Sequence, residues 1–556
     1  MTIMFDQLFI KTQEFSKLAQ ALGTSGACAL FGIPAAGRAM VYAALARQTG
    51  APLCIVTPGE AEATRFAGDL NVLGIPAAVF PARDYLLRPI EGTGREYEYR
   101  RLSVLGDLVG GRLRAVCVPE EALTQYTTPR ADFCANTRTL HAGDTLPREE
   151  LTALLYSAGY TRRAQVDGPG QFSVRGDIVD IYAPDMKQPV RMEFWGDEID
   201  TMHTFDLATQ RRDESITKMY VSPAREVLLG APPAAAELLR AFLKKQRGKK
   251  RTALESCLAP ELSQLDAGVM PVNMDKYLAV RYPEPATVLD YLDEPLLIFE
   301  EPASLKEAQR AADFRRGEEQ AALLQDGVLA AGLGELYADA AWLWAQTGRY
   351  PTICAENFVR SMPDISLKTV VNAPAHTLPS WAGEVAALLE DLTPLCSGGA
   401  AVTVMAGTAR AAVGLANDLR THGLQVTTDA AAVPAAGLVQ VLPGQLSAGC
   451  SLPFAKYAVI TARAFGVSSV QKKKKRSKDA LNSLSEISEG DLVVHQNHGI
   501  GRYAGIQRMT VQGVTKDYLR IQYDKKDVLY VPVTQLDLLS RYTAPGDSDN
   551  VKLSRL

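Results

Sequence analysis

The feature of this sequence that most restricts its fold is the alternation of short apolar runs with helical segments over residues 26–130. The apolar runs are Ala27–Phe31, Leu53–Thr57, Ala77–Phe80 and Ala115–Pro119, and helical periodicity covers stretches between them that include Arg38–Thr49 and Glu60–Leu73. Strands that alternate with helices of about 10–15 residues form βαβ units around a parallel sheet. The segment therefore predicts an α/β domain.

A similar alternation returns over residues 350–466, after a helical stretch at Leu305–Arg349. The strand candidates there are Ala401–Met405, Gln425–Thr427, Leu438–Leu442 and Tyr457–Thr461. They predict a second α/β unit, in which no motif indicates a chemical role.

Length and charge limit the number of domains and the kinds of partner. The 556 residues predict about three to five domains, and 47% hydrophobic with 22% charged residues is typical of globular protein. The net charge of −4 argues against a chain that coats nucleic acid along its length. Any basic surface is therefore expected to be local.

The cysteines and the apolar runs indicate the compartment. None of the eight cysteines stands at CxxC spacing, which argues against a zinc knuckle or a redox dithiol. The N-terminus lacks the pattern of a signal peptide, and no apolar run reaches the roughly 18–20 residues that span a bilayer. We expect a soluble, cytoplasmic monomer without a metal site.

A loop between the first strand and the first helix has the glycine spacing of a phosphate-binding loop. Gly32 and Gly37 stand in the G-x-x-x-x-G arrangement, but Arg38 and Ala39 replace the usual lysine and serine or threonine. The lysine normally reaches the β- and γ-phosphates, and the hydroxyl ligates Mg²⁺. Because alanine offers no oxygen to a metal, we interpret the loop as a degenerate nucleotide site.

Two acidic residues supply a partial second nucleotide motif. Glu300 and Glu301 follow the apolar strand Leu296–Phe299, although a pair of acids at a strand end is equally typical of a solvated surface. With the metal ligand missing, we predict no ATP hydrolysis, no catalytic residue and no cofactor in this chain.

Residues 161–205 change to the alternating pattern of an antiparallel meander that interrupts the helix-rich sequence. Arg175 and Arg191 lie on predicted strands, and Trp195 follows the second of them by four residues. Arginine beside an exposed aromatic is the composition of an interface hot spot. The alternative is that both arginines pair internally with nearby acids, namely Asp177, Asp180, Glu193 or Asp197.

The last part of the chain consists of a charged linker and a small all-β unit. The run Lys472–Arg476 and the Ser/Asn-rich residues after it predict a flexible linker over 467–489; contact with nucleic acid is a less favoured alternative. Short strands with glycine turns over 490–545 predict a small β-barrel. His495 and His498 have no third candidate ligand nearby, so a metal site is not expected.

Two sets of ordered motifs resemble known modules. Gly170–Tyr182 together with Pro189–Asp200 resembles the second domain that the excision-repair protein UvrB shares with the transcription-repair coupling factors. Gly490–Ile506, Lys516–Ile521 and Leu529–Val533 resemble the RNA-polymerase-interacting domain of the coupling factors, which CarD-type regulators share. The resemblance to the coupling factors covers essentially the whole chain.

The resemblance implies a multidomain α/β protein with a degenerate RecA-like P-loop fold, an inserted small mixed β domain, a second α/β unit and a Tudor-like, CarD-like barrel. The implied boundaries are 1–135 and 226–349 for the RecA-like module, 136–225 for the insert, 350–466 for the middle domain, 467–489 for the linker, 490–545 for the barrel, and 546–556 for the start of a further linker. In the family a translocase follows, so the chain is expected to be an N-terminal portion expressed alone or a naturally shortened form.

The resemblance also implies partners and contact residues. Arg175, Arg191 and Trp195 match positions that contact UvrA, with Trp195 in place of the family's usual phenylalanine. Arg508, Met509, Leu529 and Tyr530 match positions that contact the β subunit of RNA polymerase, although Tyr530 could equally be a core aromatic. DNA binding, ATP and Mg²⁺ are expected mainly in the absent translocase.

We therefore expect an adaptor in transcription-coupled nucleotide excision repair that binds stalled RNA polymerase and recruits UvrA. Two alternatives stay open: an ATP-dependent damage verifier similar to UvrB, and a CarD-like regulator that binds RNA polymerase alone. UvrB carries an intact P-loop and an aromatic hairpin, and neither is present here.

Overall fold

The computed structural model of the chain describes residues 5–88, 95–462, 490–495, 499–511, 514–523, 527–532 and 539–541. The chain divides into two compact units, residues 1–463 and 464–556. The predicted linker 467–489, His498 and residues 546–556 lie outside the described residues.

The strands and helices are numbered in chain order. The strands are β1 (Gly26–Phe31), β2 (Leu53–Thr57), β3 (Ala77–Val79), β4 (Ala115–Pro119), β5 (Arg138–His141), β6 (Thr161–Arg162), β7 (Gln171–Arg175), β8 (Ile178–Tyr182), β9 (Val190–Trp195), β10 (Glu198–Phe205), β11 (Arg212–Ile216), β12 (Lys218–Val221), β13 (Leu296–Glu300), β14 (Pro351–Glu356), β15 (Leu367–Asn372), β16 (His376–Leu378), β17 (Ala401–Met405), β18 (Gln425–Thr427), β19 (Leu438–Leu442), β20 (Gly449–Leu452), β21 (Tyr457–Thr461), β22 (Leu492–His495), β23 (Gly499–Val511), β24 (Val514–Gln522), β25 (Val528–Pro532) and β26 (Leu539–Arg541).

The α-helices are α1 (Asp6–Ile10), α2 (Gln13–Ala21), α3 (Ala35–Thr49), α4 (Glu60–Val72), α5 (Glu96–Val109), α6 (Glu120–Thr124), α7 (Arg130–Ala135), α8 (Arg148–Ser157), α9 (Pro232–Lys244), α10 (Gly248–Asp266), α11 (Leu278–Arg281), α12 (Pro302–Gln325), α13 (Ala340–Arg349), α14 (Val385–Ser397) and α15 (Ala409–Thr421).

The first sheet is parallel and has seven strands in the order β15-β1-β14-β13-β2-β4-β3. Its central strands are buried along their whole length, which explains why they appear in the sequence as continuous apolar runs. Two apolar cores lie around it, one including Tyr42 and Phe66 and the other including Phe80 and Phe299. The α/β prediction for the first part of the chain is thus confirmed.

The predicted boundary at residue 350 is wrong. Strands β14 and β15 belong to the first sheet, where they lie on either side of β1. A parallel strand pairs with a neighbour far away in sequence, and no local pattern identifies that neighbour. The continuous helical stretch predicted at Leu305–Arg349 is also interrupted, because α12 ends at Gln325 and α13 begins at Ala340.

The insert is a six-stranded sheet in the order β11-β10-β9-β8-β7-β6, with helix α8 before it in sequence. Its buried face joins Phe172, Met192 and Ile199 to Leu151 of the helix. The chain enters and leaves this unit through the antiparallel pair β5 and β12, in which Arg138 lies opposite Val221. The predicted meander is confirmed for β7 to β10.

After the insert, α9, α10 and α11 form a helical segment with its own core around Leu239, Leu258 and Tyr277. The next sheet has the order β16-β20-β21-β17-β19-β18 and mixes parallel with antiparallel pairs. Strands β17, β18, β19 and β21 have the bounds predicted from the sequence.

The unit 464–556 contains a five-stranded antiparallel sheet in the order β25-β24-β23-β22-β26. A bulge lies in β23 between Tyr503 and Ile506. The all-β prediction holds for the described residues, and closure of this sheet into a barrel stays a prediction. Among the described parts of the chain, no helix is long and apolar enough to cross a membrane.

Candidate functional site

The degenerate nucleotide loop lies between β1 and α3, and neighbouring backbone occupies the polar groups of its first glycine, Gly32. The N–H of Gly32 donates to the carbonyl of Glu356 (3.3 Å), and the carbonyl of Gly32 accepts from Ala375 (2.9 Å). Gly32 has a φ of +87°, and a Cβ there would lie 3.0 Å from Asn372 Oδ1. The chain after β15 therefore passes directly over this loop.

Arg38, which stands where a P-loop has lysine, is buried and paired with both acids of the second motif. Its Nη2 lies 2.8 Å from Glu301 Oε1 and 3.2 Å from Glu300 Oε2, and the Tyr42 hydroxyl donates to Glu300 Oε1 at 2.5 Å. Burial raises the pKa of Glu300, while the charge of Arg38 lowers it. Glu300 is only 2% exposed, so the alternative of a solvated strand end is wrong for this residue.

The second glycine of the loop packs against the sheet that contains β17. A Cβ at Gly37 would lie 2.9 Å from Cys450 Sγ and 3.2 Å from Leu452 Cδ2, both on β20. In addition, the backbone N–H and the hydroxyl of Ser447 donate to Asp69 at 2.7 and 2.6 Å. A triphosphate needs open space and free N–H groups at this loop. The residues present therefore do not fit Mg-ATP.

In the insert, the two predicted arginines share one buried carboxylate. Arg191 meets both oxygens of Asp180, with Nε 2.7 Å from Oδ1 and Nη2 2.9 Å from Oδ2, and Arg175 Nη2 lies 2.5 Å from Oδ2. Asp180 is fully buried, and Arg191 also covers the Phe205 ring at 4.5 Å. The internal pairing considered as an alternative is therefore present, and Asp180 is the acid involved.

The two paired arginines differ in how far their side chains remain exposed to solvent. The Arg175 side chain is 44% exposed, whereas that of Arg191 is 13% exposed. Trp195, at the end of β9, is 83% exposed. Because alternate residues of a strand share a face, Trp195 lies on the same face as Arg191. The sheet thus presents an unpacked indole and a partly exposed guanidinium on its polar face.

In the C-terminal unit, the structure places the four predicted polymerase contacts on two strands that flank β24. Arg508 and Met509 lie in β23 opposite Asp517 and Lys516, and Leu529 and Tyr530 lie in β25 at one edge of the sheet. Tyr530 is 37% exposed, and its hydroxyl is 3.3 Å from Gln507 Oε1. The alternative of a core position for Tyr530 is wrong.

A buried charge cluster was not foreseen from the sequence. Its members are Arg83, Glu98, Arg101, Glu226 and Asp275, all no more than 6% exposed. Arg101 Nε lies 2.6 Å from Glu226 Oε1, and Arg83 Nη1 lies 2.8 Å from Asp275 Oδ2. Burial raises the pKa of Glu98, but the neighbouring arginines, Arg83 foremost, bring it down to about 2. The cluster joins three separate stretches of chain, and no local spacing indicates it.

Glu120 differs from that cluster because one oxygen of its buried carboxyl group lacks a hydrogen-bond partner in the described part of the chain. It begins α6 directly after β4, is 1% exposed, and its Oε1 has no hydrogen-bond partner among the described residues. Burial raises its pKa to about 7; Arg316 opposes this shift, while Asp313 and Glu121 add to it.

We expect Glu120→Gln to stabilise the protein at about pH 8 by on the order of 2 kcal/mol and to have little effect at about pH 5. The folded carboxyl keeps its proton up to about pH 7, whereas the unfolded one releases it near its ordinary value of 4.5. The free energy of unfolding therefore falls as the pH rises from about 4.5 to about 7, and the glutamine amide, which does not titrate, avoids that loss. Thermal melts across pH measure the effect, and Glu121→Gln is the matched neighbour, for which an equal alkaline gain would contradict the explanation.

Comparison with known proteins relates these sites to a family. Residues 139–227 match the family model of the UvrB interaction domain, and residues 487–543 match that of the CarD-like/TRCF RID domain. The chain is 28% identical over 542 residues to a transcription-repair-coupling factor of Bacillus subtilis, which covers 95% of this chain and 46% of the relative. By both comparisons, the chain is similar to the transcription-repair-coupling factors.

Other coupling factors match over a similar extent. One from Staphylococcus aureus (strain MRSA252) is 24% identical over 100% of this chain and 48% of its own length, and one from Staphylococcus haemolyticus is 25% identical over 86% and 41%. The chain spans about half the length of the curated relatives it matches. Among the residues that the structure describes, no group of three or more His, Cys, Asp or Glu side chains could hold a metal ion.

Proposed function

We propose that this chain is the partner-binding part of a transcription-coupled nucleotide excision repair factor. The insert binds UvrA through Trp195 and Arg175, and the C-terminal sheet, as a Tudor-like barrel, binds the β subunit of RNA polymerase through β23 and β25. The degenerate RecA-like module holds the insert and performs no ATP hydrolysis. The observation that carries this proposal is the 83% exposure of Trp195 on a sheet that also presents a half-exposed arginine, Arg175.

Exposure of an indole to water is unfavourable, and aromatic residues with arginine dominate the energetics of protein interfaces. In contrast, Arg191 is held by Asp180, and its main role is to fix the polar face of the insert sheet that carries Trp195. An ATP-dependent verifier is disfavoured by Cys450 and Leu452 at the glycine loop. The edge position of β25 supports docking on a partner by strand or side-chain contacts.

We expect Trp195→Ala to weaken binding to purified UvrA about thirtyfold, since a central interface aromatic contributes about 2 kcal/mol. Arg175→Ala should also weaken it, and it spares the fold because Arg191 still neutralises Asp180. The measurement is UvrA binding by surface plasmon resonance. Phe358→Ala is the matched control, because Phe358 is 81% exposed and lies outside the insert.

The polymerase interaction gives the reciprocal control. Trp195→Ala should leave capture of RNA polymerase unchanged, whereas Tyr530→Ala should weaken it and leave UvrA binding intact. Unchanged UvrA binding by the Trp195→Ala, Arg175→Ala double variant would refute the assignment of the insert surface.

A further inference from the structure

A groove runs along the junction between the insert and the elements that surround it. Three adjoining cavities form it, with volumes of about 450, 620 and 630 Å³. The first and second share Arg95, Tyr99 and Pro169, and the second and third share Tyr156, Arg162 and Gly230. The shared residues place the three cavities side by side along this junction.

Arginine is the main charged residue of this path. Six arginines line it: Arg95, Arg100, Arg148, Arg162, Arg163 and Arg225. The acids that line it are Glu96, Glu149, Asp185 and Asp275, and the last is already paired with Arg83 at 2.8 Å. In a chain with a net charge of −4, the lining of the groove therefore contains more arginines than acids.

Two of these guanidinium groups are not neutralised by the protein. Arg162 and Arg163, at the end of edge strand β6, are exposed, and neither takes part in an ion pair among the described residues. Arg95 and Arg225 lie 2.9 and 3.9 Å from Glu98, Arg100 lies 3.5 Å from Glu60, and Arg148 is paired with Asp177. An unpaired pair of cations in a concave site is suited to bind a ligand with closely spaced negative charges.

Aromatic rings lie at the two places where the cavities join. The Tyr99 hydroxyl donates to the carbonyl of Pro169 at 2.9 Å, and a Cβ on Gly170 would lie 2.9 Å from that hydroxyl oxygen. The Tyr156 ring stands edge-on to Phe172 with centroids 5.3 Å apart. Both tyrosines are half-buried, and these contacts hold them in position along the groove.

We propose that this groove binds single-stranded nucleic acid, with the phosphates at Arg162, Arg163 and Arg225 and bases against Tyr99 and Tyr156. Positive grooves with aromatic side chains at intervals bind single strands without sequence preference. A duplex is a poorer fit because its bases are stacked inside the helix and cannot reach the two rings. An acidic peptide would use the arginines and leave the rings without a planar partner.

The test uses the whole chain and fluorescent oligonucleotides of about twelve nucleotides, a length within the usual range of single-strand sites. Oligo(dT) and oligo(rU) should both bind saturably by fluorescence anisotropy at low salt, and their relative affinities distinguish DNA from RNA. The Arg162→Glu, Arg163→Glu double variant should bind at least about tenfold more weakly. Because each single-strand phosphate contact adds about 0.7 to the salt slope, that slope should fall by about 1.4.

The matched control is Lys17→Glu with Arg410→Glu, two exposed cations outside the groove that give the same change of net charge. Arg162→Gln with Arg163→Gln serves if charge reversal disturbs folding, which a thermal melt reports. Equal loss in the control, absence of saturable binding, equal or tighter binding of a duplex, or equally strong competition by poly-glutamate would each overturn the proposal.

Discussion

Replacing Arg101 by methionine is expected to lower the free energy of unfolding by about 3–5 kcal/mol, because one partner of a buried ion pair is lost. Arg101 is fully buried, meets Glu226 at 2.6 and 3.2 Å, donates to Gln125 at 2.7 Å, and lies 4.1 Å over the Phe80 ring. Methionine keeps an apolar side chain of similar length, but the buried Glu226 carboxylate loses the positive charge and the hydrogen bonds of Arg101. Chemical denaturation followed by circular dichroism measures the change.

The preceding residue of the same helix provides the control. Arg100 is 43% exposed and lies 3.5 Å from Glu60, so Arg100→Met should cost less than about 1 kcal/mol. Adding Glu226→Gln to Arg101→Met removes the stranded charge and should restore part of the loss. Equal effects of Arg100→Met and Arg101→Met would mean that the cluster does not stabilise the fold.

Arg38→Met is expected to have a loss of similar size, about 3–5 kcal/mol near pH 8, without any effect on nucleotide binding. Arg38 is 2% exposed and is the cation that faces Glu300 and Glu301. Burial already raises the pKa of Glu300, and losing Arg38 raises it further. Folded Arg38→Met then carries a proton on Glu300 at a pH where the unfolded chain has released it. The loss in free energy of unfolding relative to the unaltered chain should therefore become smaller as the pH falls toward 5.

Denaturation at several pH values tests this, together with thermal melts in the presence of Mg-ATP, which should not shift the midpoint of either protein. Glu300→Gln added to Arg38→Met should recover stability at pH 8, and Arg410→Met is an exposed control. A midpoint raised by Mg-ATP in the unaltered chain and not in Arg38→Met would show that the loop binds nucleotide after all.

The sequence predicted the bounds of individual strands better than it predicted which strands pair with one another. Leu53–Thr57 and Ala115–Pro119 are strands with the predicted bounds, because buried parallel strands are continuous apolar runs. The pairing of β14 and β15 with β1 connects residues more than three hundred positions apart. Such pairing depends on packing of the whole domain, and a local pattern contains no information about it.

The same limit applies to the sites. Gly32, Gly37 and Arg38 were identified as a degenerate loop from spacing alone, but the reason that ATP does not fit includes Cys450 and Leu452, which no motif connects to them. Similarly, the sequence suggested four acids as partners of Arg175 and Arg191, and only the register of β7, β8 and β9 selects Asp180. The groove arginines come from four separate segments and were not recognised as a group.

Because Arg175 and Arg191 share the Asp180 carboxylate, Arg175 can leave this ion pair without leaving Asp180 unpaired. Arg191 alone contacts both oxygens of Asp180, so Arg175 is a spare cation. It can swing toward an acidic group on another protein without stranding a buried charge. Until then, Asp180 keeps Arg175 close to the required place, which reduces the rotamer entropy lost on association. In the proposed UvrA interface, Arg175 can therefore contact an acidic group while Asp180 stays paired with Arg191.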